Sequence, residues 1–318
     1  MVKYICKRIV LMIPLFIGIT FVIYFLSSLA PGNIVDNMAS SNPDMTQEQI
    51  DQLYIDYGLN KPIVVRYVNW LKDLAKGDMG ISYRTSQKVS IMVGQRIGPT
   101  IMLTGTSLII ALLIGIPLGV LSAMKPKGIF DNIASVLTFL GSSLPNFFVA
   151  LVLIFIFAVK LKVLPSSGMY ASGQAHTITA LAVHLILPAG VLGFHIMGNF
   201  IKQTRGSMLE VLNEEYIKTA RSKGISEGAV IIKHALRNAL IPIVTQISLM
   251  VPFLIGGAVV IEQIFGWPGL GTLMNISITA RDYPAIMGVA VVISIVVLLS
   301  NIVLDLVYAA LDPRISYT

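Results

Sequence analysis

Apolar residues in this chain come in long unbroken runs, and polar residues collect in two stretches between them. Six runs stand out, near 9–29, 101–124, 133–159, 178–197, 240–261 and 285–310. A helix crosses a bilayer core of about 30 Å with about 20 predominantly apolar residues. The runs therefore predict six transmembrane helices. A membrane β-barrel would show short alternating segments, and no other backbone satisfies its polar groups in lipid. The first run is expected to stay as an anchor. It is longer than the apolar core of a cleavable signal, and Pro31 follows Ser28-Leu29-Ala30 where cleavage needs a small residue.

The two polar stretches carry helix punctuation of their own. Across 30–99, Thr46-Gln47-Glu48-Gln49 fits a capping box, and Gly58 stands where a glycine would end that helix. A second helix is predicted from Asn60, with Pro62 near its first turn and a stop before Gly77. Val64, Tyr67, Val68, Leu71 and Leu74 give it an apolar stripe at helical spacing. A folded helical subdomain follows, with a loop laid over the helix ends as the other reading. Across 198–238, Leu212, Tyr216 and Ala220 recur every four residues, so they share a helix face. Glu214 precedes Lys218 by four, the favourable order for an ion pair on a helix. Gly224 is a helix stop and Ser226 an N-cap for a second helix toward His234 and Arg237. Attraction to anionic lipid headgroups accounts for the basic charge here; a protein partner accounts also for the glutamates and the capped turn.

Composition agrees with a bilayer environment. Charged residues are 12% of the 318 and hydrophobic ones 55%, against roughly 25% charged in soluble chains. Mean hydropathy is +0.80. The net charge of +7 is unevenly placed. With a cytoplasmic N-terminus, thirteen Lys and Arg fall on inside connections and three on short outside loops. The long 30–99 stretch carries little topological weight. Both termini are thus expected inside and the 30–99 subdomain outside, and the charge reads as topology rather than as a nucleic-acid footprint. Cys6 is the sole cysteine, which leaves no internal disulfide and no cysteine zinc site.

Motifs for bond-breaking chemistry are missing from the sequence. It contains no G-x-x-x-x-G-K-[ST], H-E-x-x-H, C-x-x-C or G-x-S-x-G. His184 and His195 lie three helical turns apart, but no Cys, Asp or Glu accompanies them on that run. Packed, hydrogen-bonded histidines are expected rather than a metal site. Polar residues within the runs are Thr104, Thr106, Ser107, Ser142, Ser143, Asn146, Gln246, Ser248, Asn301 and Asp305. Two clusters beside helix-bending prolines are candidates for a wet path: Ser142, Ser143 and Asn146 near Pro145, and Gln246 and Ser248 near Pro252. Gly115 and Gly119 form a small-xxx-small pair expected to pack helices together.

Several stretches carry a family resemblance. Glu215-x-x-x-x-Ala220-x-x-x-Gly224, followed by His234-Ala235-Leu236-Arg237-Asn238-Ala239-Leu240-Ile241-Pro242, resembles the EAA loop of ABC importer permeases. Leu59-Asn60-Lys61-Pro62, Trp70 and Gly77-Asp78-Met79-Gly80 are similar to the B-type permeases of the dipeptide/oligopeptide/nickel branch. So are Glu262-x-x-Phe265-x-Trp267-Pro268-Gly269-Leu270-Gly271, Arg281-Asp282-Tyr283-Pro284 and Asp312-Pro313-Arg314. The chain departs from the general motif at Tyr216, where alanine is usual, and in the 18 residues from Gly224 to Pro242.

The resemblance implies an all-α polytopic membrane protein with the type I ABC importer permease fold. Its parts would be an N-terminal transmembrane helix (1–30), an extracytoplasmic helical subdomain (31–99) and a five-helix permease core (100–318) containing the coupling loop 205–242. It implies a bacterial or archaeal cytoplasmic membrane, a C-type permease partner, two ABC ATPase subunits that hold ATP and Mg2+, and an extracytoplasmic solute-binding protein. The chain itself would hold no cofactor and no metal, and would not be an enzyme. Glu215, Tyr216, Ala220, Arg221, Gly224 and Ser226 would couple it to the ATPases. Phe265, Trp267, Pro268 and Gly269 lie in the apolar segment 263–284, read either as a re-entrant outer gate or, with Tyr283, as an interfacial aromatic belt. Peptides are the expected cargo, with nickel chelates, glutathione and oligosaccharides as alternatives. A passive channel or secondary transporter would call for buried ionisable residues or half-helix repeats. An intramembrane enzyme would call for a nucleophile with a base in reach.

Overall fold

The computed structural model describes residues 2–29, 32–171, 173 and 176–311, with backbone alone at 2–7, 257 and 304–311. Ala30, Pro31, the Asp305 side chain and the Asp312-Pro313-Arg314 motif lie outside the described residues. In chain order the helices are α1 (Val2–Leu29), α2 (Ile34–Ser41), α3 (Gln47–Asp56), α4 (Ile63–Ala75) and α5 (Val89–Met124). Next come α6 (Ile129–Ser143), α7 (Asn146–Leu153), α8 (Ile178–Leu212), α9 (Glu215–Ser222) and the single turn α10 (Glu227–Ala229). α11 (Arg237–Ile264), α12 (Leu270–Thr279) and α13 (Tyr283–Leu311) complete the series. Wider π-type turns extend α7 over Ile154–Lys160 and lead into α11 over Val230–Leu236. No strand forms among the described residues; Ile81 and Lys88 make an isolated bridge.

Among the described residues, five helices are long and apolar enough to cross a membrane: α1, α5, α8, α11 and α13. The third run of the sequence is not one straight helix. It breaks at Leu144-Pro145, and α6 and the α7 extension meet at 106°. Pro145 lacks an N–H and disfavours a helical residue before it, so Leu144 is extended (φ −86°, ψ 130°) and α7 starts afresh.

The chain forms two compact units, Met1–Pro99 with Gly269–Leu299, and Thr100–Pro268 with Ser300–Thr318. The three-part division expected from sequence placed 269–299 with the core; by contact these residues belong to the unit containing 1–99.

In the first unit, local chemistry sets the helix ends. Thr46 and Gln49 make the capping box of α3. Gly58 (φ 63°) closes it with Leu59 N–H on Tyr54 O (2.8 Å) and Gly58 N–H on Ile55 O (2.9 Å), the two bonds of a Schellman end. Gly77 (φ 84°) ends α4 in the same way, with Asp78 N–H on Asp73 O at 3.0 Å. The stripe of α4 is rotated from expectation: Val64 and Val68 are exposed, while Tyr67 is buried and Ile63, Trp70 and Leu71 pack beside it. The aromatic side wins because it meets aromatic rings on α1. Phe21 and Tyr24 lie 5.2 and 5.6 Å from the Tyr67 ring, both edge-on, and aromatic burial brings more area than two valines. The Tyr67 hydroxyl donates to Ile17 O at 2.8 Å.

The second unit is built around α8, buried along most of its length. Glycines let its neighbours approach closely. A Cβ on Gly119 of α5 would sit 2.6 Å from Thr204 Cβ and 2.9 Å from Ile201 O. One on Gly115 would sit 3.0 Å from Phe200 Cβ, and one on Gly141 of α6 would sit 2.9 Å from Phe194 O. The small-xxx-small pair thus packs as expected, and α6 adds a third close contact. Leu192, Ile196, Phe200, Ile243 and Ile261 fill the core between α8 and α11.

Candidate functional site

The segment after α8 forms a helical hairpin. Glu214 is extended and starts α9, which ends at Gly224 (φ 75°). Gly224 N–H reaches Arg221 O at 2.9 Å and Ile225 N–H reaches Ala220 O at 3.4 Å, again the Schellman pattern. A Cβ at Gly224 would meet nothing within 4 Å, so the positive φ alone calls for glycine. Ser226 takes the N-cap position of α10 without a side-chain cap bond.

The hairpin has an apolar, buried floor and a charged rim. Ile217 and Ala220 are buried with Met208, Ala123, Val230 and Ala235. The buried face therefore runs through Ile217 and Ala220, not through Tyr216 as the four-residue spacing predicted. Tyr216 is exposed and its hydroxyl accepts from Asn238 Nδ2 at 3.0 Å. Small Ala220 lets α9 lie close on its own chain. On the rim, Lys218 pairs with Glu215 at 2.7 Å; Glu214, outside the helix, does not supply the expected partner. The Arg221 guanidinium makes two bonds to the Glu227 carboxylate, at 3.1 and 2.6 Å, which raises its pKa further and ties α9 to α10 across the Gly224 turn.

The path candidates occupy two places. Ser142 and Ser143 are exposed and Asn146 is half-buried, all at the α6–α7 break. The Ser142 hydroxyl donates back to Thr138 O at 2.9 Å. Gln246 is half-buried and Ser248 buried within α11, between Pro242 and Pro252. In the segment 263–284, Phe265 and Trp267 are buried in the core of the second unit. Gly266 (φ 55°) ends α11, and Trp267 N–H bonds Glu262 O at 2.7 Å. Phe265 O accepts from Gly168 N–H at 2.7 Å, and Gly168 O lies 2.9 Å from His184 Nδ1. His184 is thus a packed, hydrogen-bonded histidine, as expected. His195 stacks on Phe253 at 5.7 Å, and its Nδ1 lacks the expected partner. Pro268 is half-buried, and in the first unit Gly269 caps the short apolar α12. No cluster of three or more His, Cys, Asp or Glu suited to a metal occurs among the described residues.

Three buried carboxylates escaped the sequence reading as structural groups. Asp131 accepts from Ser122 Oγ (2.6 Å), Lys127 N–H (2.8 Å) and both Nε and Nη2 of Arg205 (2.8 and 3.1 Å). It joins the α5–α6 turn to α8. The available signal was its place in the first turn of a helix opened by Gly128, where an acid suits the helix dipole. Glu262, fully buried, accepts from Thr100 Oγ1 at 2.6 Å. Asp282, also buried, accepts from Ser82 Oγ and from Tyr83 N–H at 3.0 Å. Both stand within stretches already marked by resemblance.

Comparison with known proteins places this architecture. The family described as binding-protein-dependent transport system inner membrane component matches residues 115–317, and its N-terminal counterpart matches 1–104. The oligopeptide transport system permease protein AppB of Bacillus subtilis is 42% identical over the full length of both chains. The dipeptide transport system permease protein DppB of Escherichia coli K12 is 36% identical over 100% of this chain and 99% of its own. Among solved structures, the MetNI methionine ABC transporter in inward-facing conformations aligns with a TM-score of 0.54 at 18% identity. That alignment covers 70% of this chain and 96% of the other. An amino acid ABC transporter crystallised with histidines aligns at 0.51 and 15% identity, covering 68% and 92%. The long apolar helices, the glycine-ended hairpin after α8 and these full-length matches make the chain a multi-pass inner-membrane protein of the binding-protein-dependent transport family, a permease component of an ABC importer.

Proposed function

We propose that this chain forms, with a C-type permease, the path for peptide uptake powered by two partner ATPases and fed by an extracytoplasmic binding protein. The peptide cargo is supported by the full-length identity to AppB and DppB, named for oligopeptide and dipeptide transport. In this reading both termini and the α9–α10 hairpin face the cytoplasm, and 31–99 faces outward. ATP and Mg2+ sit on the partner subunits; this chain carries no nucleotide motif.

The observation that carries the coupling role is the hairpin itself. Glu215, Arg221, Gly224 and Ser226 are exposed above a floor of Ile217 and Ala220. Its charges suit a groove on a partner, and its buried floor lets a push on the rim reach α8 and α11 as one body. Closure of the ATPases would then rock the helices between two states, one biased by nucleotide and the other by delivered substrate. Ser142, Ser143, Asn146, Gln246 and Ser248 would line the path, and the segment from Phe265 to Gly269 would gate it on the outer side.

Replacing Gly224 tests this assignment. A β-branched residue held at positive φ costs on the order of 1–3 kcal/mol, whereas asparagine tolerates that conformation. With the complete transporter in proteoliposomes, Gly224→Val is expected to abolish uptake of a labelled dipeptide while the subunit stays inserted. Gly224→Asn should retain most of it. Normal uptake by Gly224→Val would refute the coupling role, and uptake of no peptide by the wild type would refute the cargo.

A further inference from the structure

The first unit contains a cavity of about 590 Å3 between α4, the loop 78–86 and the start of α13. One face of α4 lines it: Arg66, Asn69, Trp70 and Asp73 stand at i, i+3, i+4 and i+7. The guanidinium of Arg66 lies 5.8 Å from the centre of the Tyr24 ring. Among the described residues no carboxylate lies within ion-pair distance of it. Asp73, at the other end of the face, meets Lys76 at 3.6 Å, and both are largely exposed, so this pair is weak. Between them the Trp70 indole Nε1 is buried without a hydrogen-bond partner, a group whose desolvation is otherwise uncompensated. Tyr83 adds an aromatic wall, and burial pushes its phenol up to about 12.

Asp56, Lys61 and Asp78 line the cavity as well, but Arg66 and Asp73 are the opposite charges that share one face of α4, and the rise between their positions suits a short ligand. Seven residues of helix separate Arg66 from Asp73 by about 10.5 Å along the axis. Three residues of extended peptide span about 10 Å. A guanidinium suits a carboxylate, a carboxylate suits an ammonium, and the Trp70 side chain lines the cavity between them. We propose that this cavity is a binding site for a short peptide with free ends, its carboxylate held by Arg66 and its ammonium by Asp73. The site rests on the peptide reading of the cargo. It would be a station on the outer side, distinct from the path itself.

The test uses the full-length chain with its partner subunits in nanodiscs, without the binding protein. Titration calorimetry would compare tri-alanine with its N-acetyl and C-amide forms. The expected result is saturable binding of tri-alanine, with each blocked form at least tenfold weaker. Arg66→Gln should erase the penalty of the amide alone, and Asp73→Asn that of the acetyl group alone. Equal affinity for blocked and free peptides, or no saturable binding, would overturn the site even if the variants fold poorly. Uptake of tri-alanine by the complete importer, measured in parallel, separates the two readings. Uptake without binding in nanodiscs removes the site and leaves peptide cargo standing; binding without uptake of any peptide keeps the site and removes the cargo. If wild type binds no peptide but both variants lose affinity for the binding protein, the cavity is a protein-docking surface and the proposal fails.

Discussion

Asp131 shows how one side chain organises its surroundings. Its carboxylate faces four donors from three places: the end of α5, the turn at Lys127 and Arg205 on α8. A buried carboxylate is tolerated because each lone pair is used, and the fork of Arg205 matches it in two bonds. Lys127 sits at φ 64°, a conformation uncommon for a residue with a side chain, and its N–H bond to Asp131 helps hold it there. Asp131→Asn should cost about 1.5–3 kcal/mol, the range for hydrogen bonds to charged groups, toward the lower end because Arg205 is partly exposed. Chemical denaturation in micelles measures it. In a double-mutant cycle with Arg205→Gln the losses should be less than additive; simple additivity would show that the pair does not act as one. Nothing in the sequence told which cation would answer Asp131, because Arg205 lies 74 positions away.

Helix ends and helix contacts follow two different kinds of rule. The ends are local. Glycines at 58, 77, 224 and 266 all take positive φ just past a helix, and the first three were legible from spacing alone. Arg281 does the same without being glycine (φ 56°), with Asp282 N–H on Ser277 O at 2.9 Å, so that stop was not legible. The contacts are not local. Gly119 read as a packing glycine, but Thr204 and Ile201 as its neighbours came only from the fold. Adding side-chain bulk there should separate α5 from α8. Gly119→Val is expected to destabilise the protein by about 1–3 kcal/mol, as overpacking does, and to lower the thermal midpoint followed by circular dichroism. Gly105, on the same helix with nothing within 4 Å of a Cβ, supplies the control: Gly105→Ala should be neutral or slightly stabilising. Equal losses at both glycines would show that the close approach of α5 to α8 at Gly119 is not what costs stability. The α6–α7 break belongs to both kinds of rule: Pro145 marked it in the sequence, but an angle of 106° needs neighbours to hold it.

At the scale of the whole molecule, charge placement makes a prediction about sidedness. Lys127 and Lys218 belong to connections expected inside, Lys61 and Lys160 to connections expected outside, and all four are exposed. In a Cys6→Ser background, single cysteines at 61 and 160 should react with an impermeant maleimide in intact spheroplasts. Cysteines at 127 and 218 should react only after permeabilisation. The reverse pattern would invert the topology and turn the α9–α10 hairpin away from any cytoplasmic ATPase.

The sequence by itself determined the six apolar runs, the capped helices of 30–99, the Gly224 hairpin and the family, because each is written in residues near one another along the chain. Hydropathy needs about 20 neighbours, and a cap needs only about four. The tertiary structure alone decided which face of α4 is buried, where Asp131 and Asp282 find their partners, and that α12 and most of α13 join the N-terminal unit. Those outcomes depend on groups far apart in sequence, such as Ser82 and Asp282, separated by 200 positions. Periodicity reports that a face will be covered, and packing alone chooses what covers it.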